Sequence, residues 1–153
     1  ELYEAFDDFI HNEIVLLVDE KFHYQYLPSF RIHLPYNNQA VHTWHYDSDQ
    51  LHGHPVGEIN FWIPLTRCYG TNTMWIESEQ FKLDFKPLVG NYGDFWRTNA
   101  NLCMHGNKPN ITNNTRISFD FRVIPLSKYD ESNETKSVSK SNKFVIGSYY
   151  KEL

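Results

Sequence analysis

The stretch TRISFDFRVIP, residues 115–125, alternates between polar and apolar side chains. Neighbouring residues of a β-strand point to opposite faces, so this spacing predicts a strand with one apolar and one polar face. The apolar face carries Ile117, Phe119, Phe121 and Val123, and the polar face carries Arg116, Ser118, Asp120 and Arg122. The stretch GEINFWIPLT, residues 57–66, repeats the pattern, with Ile59, Phe61, Ile63 and Leu65 opposite Glu58, Asn60, Trp62 and Pro64.

Two folds explain such strands. One is an antiparallel sheet with a solvated face, and the other is a jelly roll whose polar mouth holds a charged ligand. Further short segments rich in β-branched and aromatic residues are bounded by Pro, Gly and Asn, namely 30–35, 72–78, 81–87, 93–106 and 144–150. Residues 2–22 instead space their apolar side chains at helical intervals. The sequence therefore predicts a mainly β sandwich or barrel with a flanking N-terminal helix.

Length and composition narrow the classes of protein. The 153 residues, 41% of them hydrophobic, predict a single domain over 1–153, with the polar segment 131–143 as a mobile surface stretch. Lys and Arg number 14 against 19 Asp and Glu, a net charge of −5, which disfavours nucleic acid as a partner. No apolar run has the length of a membrane span. Two cysteines without a disulfide framework favour the cytoplasm.

The stretch VHTWHYDSDQLHGHP, residues 41–55, concentrates candidate metal ligands. His45 and Asp47 are one residue apart, so on a strand both side chains would leave the same face with Cα atoms roughly 6.6 Å apart. On a helix they would diverge by about 200°. Together with the distant His105, they match the two-histidine, one-carboxylate triad that binds Fe(II) and leaves positions open for substrates. A histidine alone is more often structural, so the prediction depends on what surrounds the three residues.

The residues after His105 provide that context. A turn-rich loop, GNKPNITNNT at 106–115, leads to Arg116 and Ser118 on one face of the next predicted strand. A planar guanidinium with a neighbouring hydroxyl suits the far carboxylate of a dicarboxylate whose other end binds the iron. A surface salt bridge is the alternative for Arg116, and it would be preferred if the histidines and Asp47 were absent.

Taken together, WHYD at 44–47, NFWIPLTRCYGTNTMWIE at 60–77 and residues 93–125 resemble a known enzyme family. The resemblance is to the Fe(II)/2-oxoglutarate-dependent oxygenases of the phytanoyl-CoA-hydroxylase-like superfamily, and within it to the group related to the streptomycin-biosynthesis protein StrG. It implies a double-stranded β-helix, which is a cupin-like jelly roll, with Fe(II), 2-oxoglutarate and O2 as the reactive partners. The presence of Asp47 favours hydroxylation or desaturation, because the halogenases of the superfamily lack that carboxylate.

The resemblance also implies roles for individual residues. The iron ligands fall on His45, Asp47 and His105, and the 2-oxoglutarate contacts fall on Arg116, Ser118, Trp62 and Asn60. At residues 77–80 the chain departs from the usual pattern of the family, which predicts a different lid and a different substrate. A small polar metabolite such as a sugar or an amino-sugar is the expected substrate. Its candidate contacts are Arg31, His33, Trp44, Tyr46, Asp49 and His54.

Two other functions remain open at this point. A cupin-like module could hold a redox-inert ion such as Zn²⁺, with Arg116 binding a carboxylated or phosphorylated ligand. A metal-free sandwich could instead bind carbohydrate by stacking it on Trp44, Trp62, Trp75 and Trp96. Neither alternative requires the joint spacing of the two histidines, Asp47, Arg116 and Ser118.

Overall fold

The computed structural model describes residues 1–37, 44–136 and 141–153. One α-helix, α1 (Leu2–Asn12), precedes the strands, and 3-10 turns span Ile14–Leu17 and Leu126–Lys128. The strands are β1 (Phe22–Gln25), β2 (Ser29–His33), β3 (Ile59–Pro64), β4 (Met74–Ile76), β5 (Lys86–Pro87), β6 (Trp96–Thr98), β7 (His105–Asn107), β8 (Arg116–Pro125) and β9 (Tyr150–Glu152). The protein is thus mainly β with one N-terminal helix.

The strands form two antiparallel sheets. The larger has six strands in the order β6-β3-β8-β1-β9, with β2 also paired to β8, and the smaller has the order β5-β4-β7. The ten-residue strand β8 organises the larger sheet because it pairs with β3 along one edge and with β1 and β2 along the other.

Helix α1 covers the apolar face of the larger sheet. Phe6 and Ile10, one turn apart, are its buried residues. Phe6 meets Phe121 of β8 edge to face with ring centroids 5.1 Å apart, and Phe61 of β3 stacks on Phe121 at 5.2 Å. Phe121, Phe61 and Ile10 have no solvent exposure. The predicted alternation therefore builds a core between helix and sheet.

The polar face of the same sheet is also buried, so the solvated-face explanation is wrong. Strand register places Asn60 opposite Arg122 and Trp62 opposite Asp120. Arg122, Asn60 and Trp62 are all buried. Charged side chains avoid the interior unless they are paired or bind a ligand. The polar side chains of this face therefore lie in the interior of the protein, where they need partners or a ligand.

The element boundaries differ from the sequence prediction at four places. The helix predicted over 2–22 ends at Asn12. Its last predicted residue, Phe22, begins β1 instead, because Phe22–Gln25 pair with both β8 and β9. Residues 81–87 form only the two-residue β5, since the amides of Phe81 and Leu83 donate to the Glu77 carboxylate instead of a strand. Residues 93–106 contain two strands, not one. Residues 144–149 turn around the Val145 carbonyl, so β9 begins only at Tyr150.

The segment 131–143 was predicted to be mobile, and its residues 137–140 lie outside the described part of the chain. In the remainder of the segment, the Lys143 side chain forms an ion pair with Glu134 at 2.6 Å, and the Lys143 backbone forms an isolated antiparallel β-bridge with Lys136. No helix within the described ranges combines the length and the apolar character needed to cross a bilayer.

Candidate metal centre

Two chain segments bring the predicted metal ligands together. His45 forms an isolated antiparallel bridge with His105, the first residue of β7, through amide-to-carbonyl hydrogen bonds of 3.1 and 2.8 Å. Asp47 was expected to share a strand with His45, but it stands at the start of a turn. Its amide donates to the Ala100 carbonyl at 3.0 Å, and its own carbonyl accepts from the His54 amide at 3.1 Å. The backbone thus fixes all three residues.

The side chains of His45, Asp47 and His105 form a compact cluster. Nε2 of each histidine lies 3.6 Å from Asp47 Oδ1, and the three candidate ligand atoms all lie within 4.8 Å of one another. Nδ1 of His105 lies 3.1 Å from the Cys103 carbonyl. A carbonyl only accepts, so Nδ1 carries the proton and donates, which leaves Nε2 of the neutral ring free to bind a metal.

Electrostatics favour, at Asp47 and His105, the protonation states that metal binding requires. Burial alone would raise the pKa of Asp47, but Arg122, and then hydrogen bonding with His45, hold that pKa well below its usual range. Burial lowers the pKa of His105, and Asp47 only partly opposes the shift. An ionised carboxylate beside neutral imidazoles is the form in which these groups bind metals.

Arg116 lines a cavity that His45 and His105 also line, and it forms no ion pair with a carboxylate of the described residues. It is 2% exposed, and Nη1 donates to Asn107 Oδ1 at 2.6 Å. Within the described ranges, ion pairs to carboxylates are formed by Arg31 and Arg122 but not by Arg116. Its Nε has no hydrogen-bond partner among the described residues, and burial lowers the pKa of Arg116 to about 10. A buried cation in this situation is a candidate binding site for an anion.

Ser118 and Trp62 lie near this arginine, whereas Asn60, the remaining predicted cosubstrate contact, lies opposite Arg122 further along β8. The hydroxyl of Ser118 is fully buried and has no hydrogen-bond partner in the part of the chain that the structure describes. The Trp62 ring packs edge to face against Trp96 and lies 5.8 Å from the Arg116 guanidinium. Asn60 lines the cavity, but its amide donates to Asp47 Oδ2 at 2.7 Å, so it supports a candidate metal ligand directly.

A cavity of about 490 Å³ connects His45 and His105 with Asn60, Trp62 and Arg116. Both sheets contribute to its wall: β2, β3, β6 and β8 from the larger and β4 and β7 from the smaller. His45, His105, Arg116 and Asn107 lie on one continuous surface with Phe30, Ile32, Leu34 and Met74. The volume is within the range of small-molecule sites.

Of the six predicted substrate contacts, Arg31 alone is among the described residues that line this cavity. Its Nε donates to Asp120 at 2.9 Å. His33 is on the same strand face but is fully buried beside Arg116. Asp49 binds the amides of Leu51 and His52 and so closes a turn.

The other three predicted contacts have structural partners as well. His54 lies 2.7 Å from Glu58 and packs on Phe144. The rings of Trp44 and Tyr46 pack against Phe85 and Phe81, respectively. Closeness to the metal ligands in sequence did not place these side chains on the cavity wall. Trp44 and Tyr46 are the chain neighbours of His45, whose own side chain lines the cavity, and His54 follows the turn that starts at Asp47.

Residues 77–80 were predicted to form a different lid, and the first of them, Glu77, anchors the loop that it begins. Glu77 is buried, and its carboxylate accepts from the amides of Phe81, Leu83 and Met104 at 3.0, 2.9 and 2.6 Å. Met104 immediately precedes His105. Ser78, Glu79 and Gln80 are exposed. The carboxylate therefore ties this loop to the strand that carries one candidate ligand.

Sequence reasoning did not assign a role to Arg122, Asp120 or Asn107. Arg122 donates twice to Asp47, Asp120 holds Arg122 and Arg31, and Asn107 holds Arg116. The signal for the first two was present, since the alternation of residues 115–125 places them on the same face as Arg116. Asn107 gave no such signal, because its partner belongs to the other sheet.

The donor set fits an iron ion and a dicarboxylate. Two imidazole nitrogens and one carboxylate oxygen converge, and the second oxygen of Asp47 is occupied by protein donors. Two imidazoles with one carboxylate are typical of non-haem Fe(II). Arg116 Nε and Ser118 Oγ are buried polar atoms without partners, as donors to an anionic ligand would be.

Comparisons with known proteins give relatives in sequence and in fold. No model of a protein family matches the chain. The chain is 42% identical over 126 residues to "Streptomycin biosynthesis protein StrG" of Streptomyces griseus, a match that covers 82% of this chain and 58% of StrG. The chain therefore spans less than two thirds of that relative.

Two solved structures share the fold. The nickel complex of the non-heme monooxygenase ThoJ superposes with a TM-score of 0.62 at 18% identity, covering 86% of this chain and 58% of ThoJ. AviO1 from Streptomyces viridochromogenes Tue57 gives a TM-score of 0.51 at 18% identity, over 68% of this chain and 53% of AviO1. The chain is thus similar to StrG in sequence and to ThoJ and AviO1 in fold.

Proposed function

We propose that this protein is an Fe(II)/2-oxoglutarate-dependent oxygenase that hydroxylates or desaturates a small polar metabolite, with a sugar or an amino-sugar as the substrate class. In this proposal, residues 1–153 form one double-stranded β-helix domain. The observation that carries it is the pairing, in one cavity, of the His45–Asp47–His105 cluster with Arg116, a buried arginine without a counter-ion. The name of StrG supports a biosynthetic role, and the name of ThoJ supports oxidative chemistry at a metal.

His45, Asp47 and His105 would hold the metal through two nitrogens and Asp47 Oδ1. Fe(II) with 2-oxoglutarate and O2 would supply the oxidising power for attack on a C–H bond. The ionised state of Asp47 and the Nδ1-protonated form of His105 prepare the cluster to bind a divalent cation without first losing protons from these two groups.

Arg116 and Ser118 would hold the far carboxylate of 2-oxoglutarate. The guanidinium offers a planar pair of donors, and Asn107 fixes its orientation from the opposite sheet. Binding of a carboxylate would satisfy Arg116 Nε and Ser118 Oγ and would neutralise a buried charge. That gain is specific to an anion, so a neutral ligand would not replace it.

The remaining cavity wall would orient the substrate and exclude water. Phe30, Ile32, Leu34 and Met74 provide apolar contacts at the surface that includes His45 and His105. Arg31 and Asp120 form an ion pair on that wall, which offers hydrogen-bonding groups to a polyhydroxylated molecule. Alignment of one C–H bond beside the metal is the contribution expected of the protein.

An anaerobic titration tests the proposal. Metal-free protein is titrated with Fe(II) and then 2-oxoglutarate, and the visible charge-transfer band of the iron-bound 2-oxoacid is recorded. We expect the band in the wild type, a higher 2-oxoglutarate requirement for Arg116→Ala and no band for His105→Ala. Succinate release in air is measured in parallel. Wild-type protein that binds iron but gives neither band nor succinate would contradict the proposal.

The same titration addresses the two alternatives. A module with a redox-inert ion would bind metal but would not respond to 2-oxoglutarate. A metal-free carbohydrate-binding sandwich is disfavoured by the tryptophans: Trp62 is buried against Trp96, and Trp44 is packed between Phe85 and the Gly106 backbone. These rings do not form a shared exposed stacking surface.

A further inference from the structure

Asp47 presents its two oxygens to different surroundings. Oδ1 faces the histidines, 3.6 Å from Nε2 of both His45 and His105. Oδ2 accepts hydrogen bonds from Asn60 Nδ2 at 2.7 Å and from Nε and Nη2 of Arg122 at 3.1 and 3.0 Å. A carboxylate oxygen has about two lone-pair sites, so three donors saturate Oδ2.

The groups that hold Oδ2 are themselves fixed. Arg122 Nη1 donates to Asp120 Oδ2 at 2.6 Å and lies 3.5 Å from Gln25 Oε1. Asp120 in turn binds Arg31. Arg122 and Asn60 face each other across the β3–β8 pair, and both are buried. Rotation of the Asp47 carboxylate would break all three hydrogen bonds to Oδ2.

We propose that Asn60 and Arg122 are positioning residues that restrict Asp47 to metal ligation through Oδ1 alone. They thereby set the affinity of the site and keep a coordination position free that the second oxygen would otherwise take. This inference rests on the metal-binding part of the proposed function. It assigns Asn60 to the metal side of the cavity and not to 2-oxoglutarate.

Stability alone does not account for this arrangement. A buried ion pair gains little net free energy, because desolvation of both charges offsets their attraction. Arg122 also could have paired with Asp47 through both oxygens, in the fork-to-fork geometry that arginine prefers. Instead, both of its bonds to Asp47 go to Oδ2, and Asn60 adds a third there. The donors are gathered on the oxygen that points away from the histidines.

Cobalt binding tests the inference without any turnover. Metal-free wild type, Asn60→Ala and Arg122→Lys are titrated with Co²⁺, and the dissociation constant and the visible spectrum of bound Co²⁺ are recorded. Arg122→Lys keeps the positive charge but loses the planar guanidinium that donates two hydrogen bonds to Asp47 Oδ2. Asn72→Ala is the matched control, since Asn72 is equally buried but hydrogen-bonds to Tyr69 and Arg67. Thermal unfolding of each metal-free variant verifies that it is folded.

We expect Co²⁺ affinity to fall about 10- to 100-fold in Asn60→Ala and Arg122→Lys, as is typical for groups that orient a metal ligand. The Co²⁺ spectrum should also change in these variants, because Oδ2 loses a donor and the carboxylate is held less firmly in its orientation, while Asn72→Ala keeps the wild-type affinity and spectrum. If Arg122→Lys fails to fold, Asn60→Ala, which removes one neutral donor, decides the question.

The outcomes separate the two proposals. Asn60→Ala that binds Co²⁺ with wild-type affinity and spectrum would overturn the positioning role and leave the metal site intact. Wild-type protein that binds neither Co²⁺ nor Fe²⁺ would overturn the proposed function itself, and the positioning role with it. Equal weakening in Asn60→Ala and Asn72→Ala would show general destabilisation and would also overturn the positioning role.

Discussion

Arg116 and Asn107 are joined by a hydrogen bond of 2.6 Å from guanidinium Nη1 to amide Oδ1. Arg116 begins β8 in the larger sheet, and Asn107 ends β7 in the smaller one, two residues after His105. The bond therefore connects the two sheets at the cavity. It links the candidate anion site to the strand that carries a candidate metal ligand.

Replacement of Arg116 by lysine should weaken 2-oxoglutarate binding by tenfold or more, roughly the loss expected when a planar fork becomes a point charge. Iron affinity should change little, because Arg116 touches none of the three candidate ligands. Equilibrium titration with each partner separately measures both effects. Arg97→Lys is the control, since Arg97 is exposed and donates to the Leu17 carbonyl. If both variants bind 2-oxoglutarate with equal affinity, Arg116 is not part of the 2-oxoglutarate site.

Gly106→Ala should weaken metal binding through a steric effect on Trp44. A Cβ at Gly106 would lie 2.9 Å from Trp44 Cδ2, closer than real Cβ atoms come to other heavy atoms. The Trp44 ring has little room to move because Phe85 packs against it, with ring centroids 4.5 Å apart. Trp44 and Gly106 are the chain neighbours of His45 and His105, so relief of the clash would displace both ligands. Co²⁺ titration measures the loss.

A second substitution checks the cause. Trp44→Leu removes the ring that the new Cβ would meet, so the double variant Gly106→Ala/Trp44→Leu should bind Co²⁺ more tightly than Gly106→Ala alone. Non-additive double mutants are the expected signature of residues in contact. Additive losses would show that Gly106 is required for another reason.

Glu77 should make the stability of the protein sensitive to acid. Burial would raise the pKa of Glu77, but hydrogen bonds from the amides of Met104, Leu83 and Phe81 lower it below the ordinary 4.5. A carboxyl with a lowered folded-state pKa adds stability above its unfolded-state pKa and loses that stability as pH falls through the folded value. Urea unfolding of wild type should therefore show stability decreasing as the pH falls below 4.5.

Glu77→Gln isolates this contribution. The glutamine has one acceptor oxygen, and its NH₂ group would face an amide donor, so we expect about 2–3 kcal/mol less stability at pH 7. The pH dependence below the ordinary glutamate value should become shallower, because no carboxyl titrates at that position. An unchanged pH profile would assign the acid sensitivity to other carboxyl groups.

Phe121→Ala should destabilise the protein by about 3–5 kcal/mol, the usual cost of an aromatic-sized cavity in a core. The Phe121 side chain, on β8, is fully buried beneath α1 and contacts Phe6 of that helix and Phe61 of β3. Urea unfolding measures the change. Phe30→Ala, at an exposed ring on β2, is the control and should cost much less.

Local pattern predicted the parts of the fold that have a period. The alternation in 57–66 and 115–125 identified β3, β8 and their faces, because the side-chain period of a strand is fixed by backbone geometry. It failed where tertiary contacts decide the backbone. Glu77 diverts two amides from a strand, and Phe22–Gln25 become a strand only through pairing with residues remote in sequence.

By itself, the sequence determined which residues share the polar face of β8 and which residue types match an iron triad. Only the tertiary structure decided what those residues do. His45 and His105 meet through a bridge between segments sixty residues apart, and the cavity forms where two sheets face each other. Among the described residues that line the cavity, Arg31 is the one predicted substrate contact, because the local direction of the backbone, and not closeness in sequence, decides where a side chain points. Arg122 and Asn107 acquire their roles from partners on other segments of the chain, Asp47 and Arg116, and no local pattern encodes those contacts.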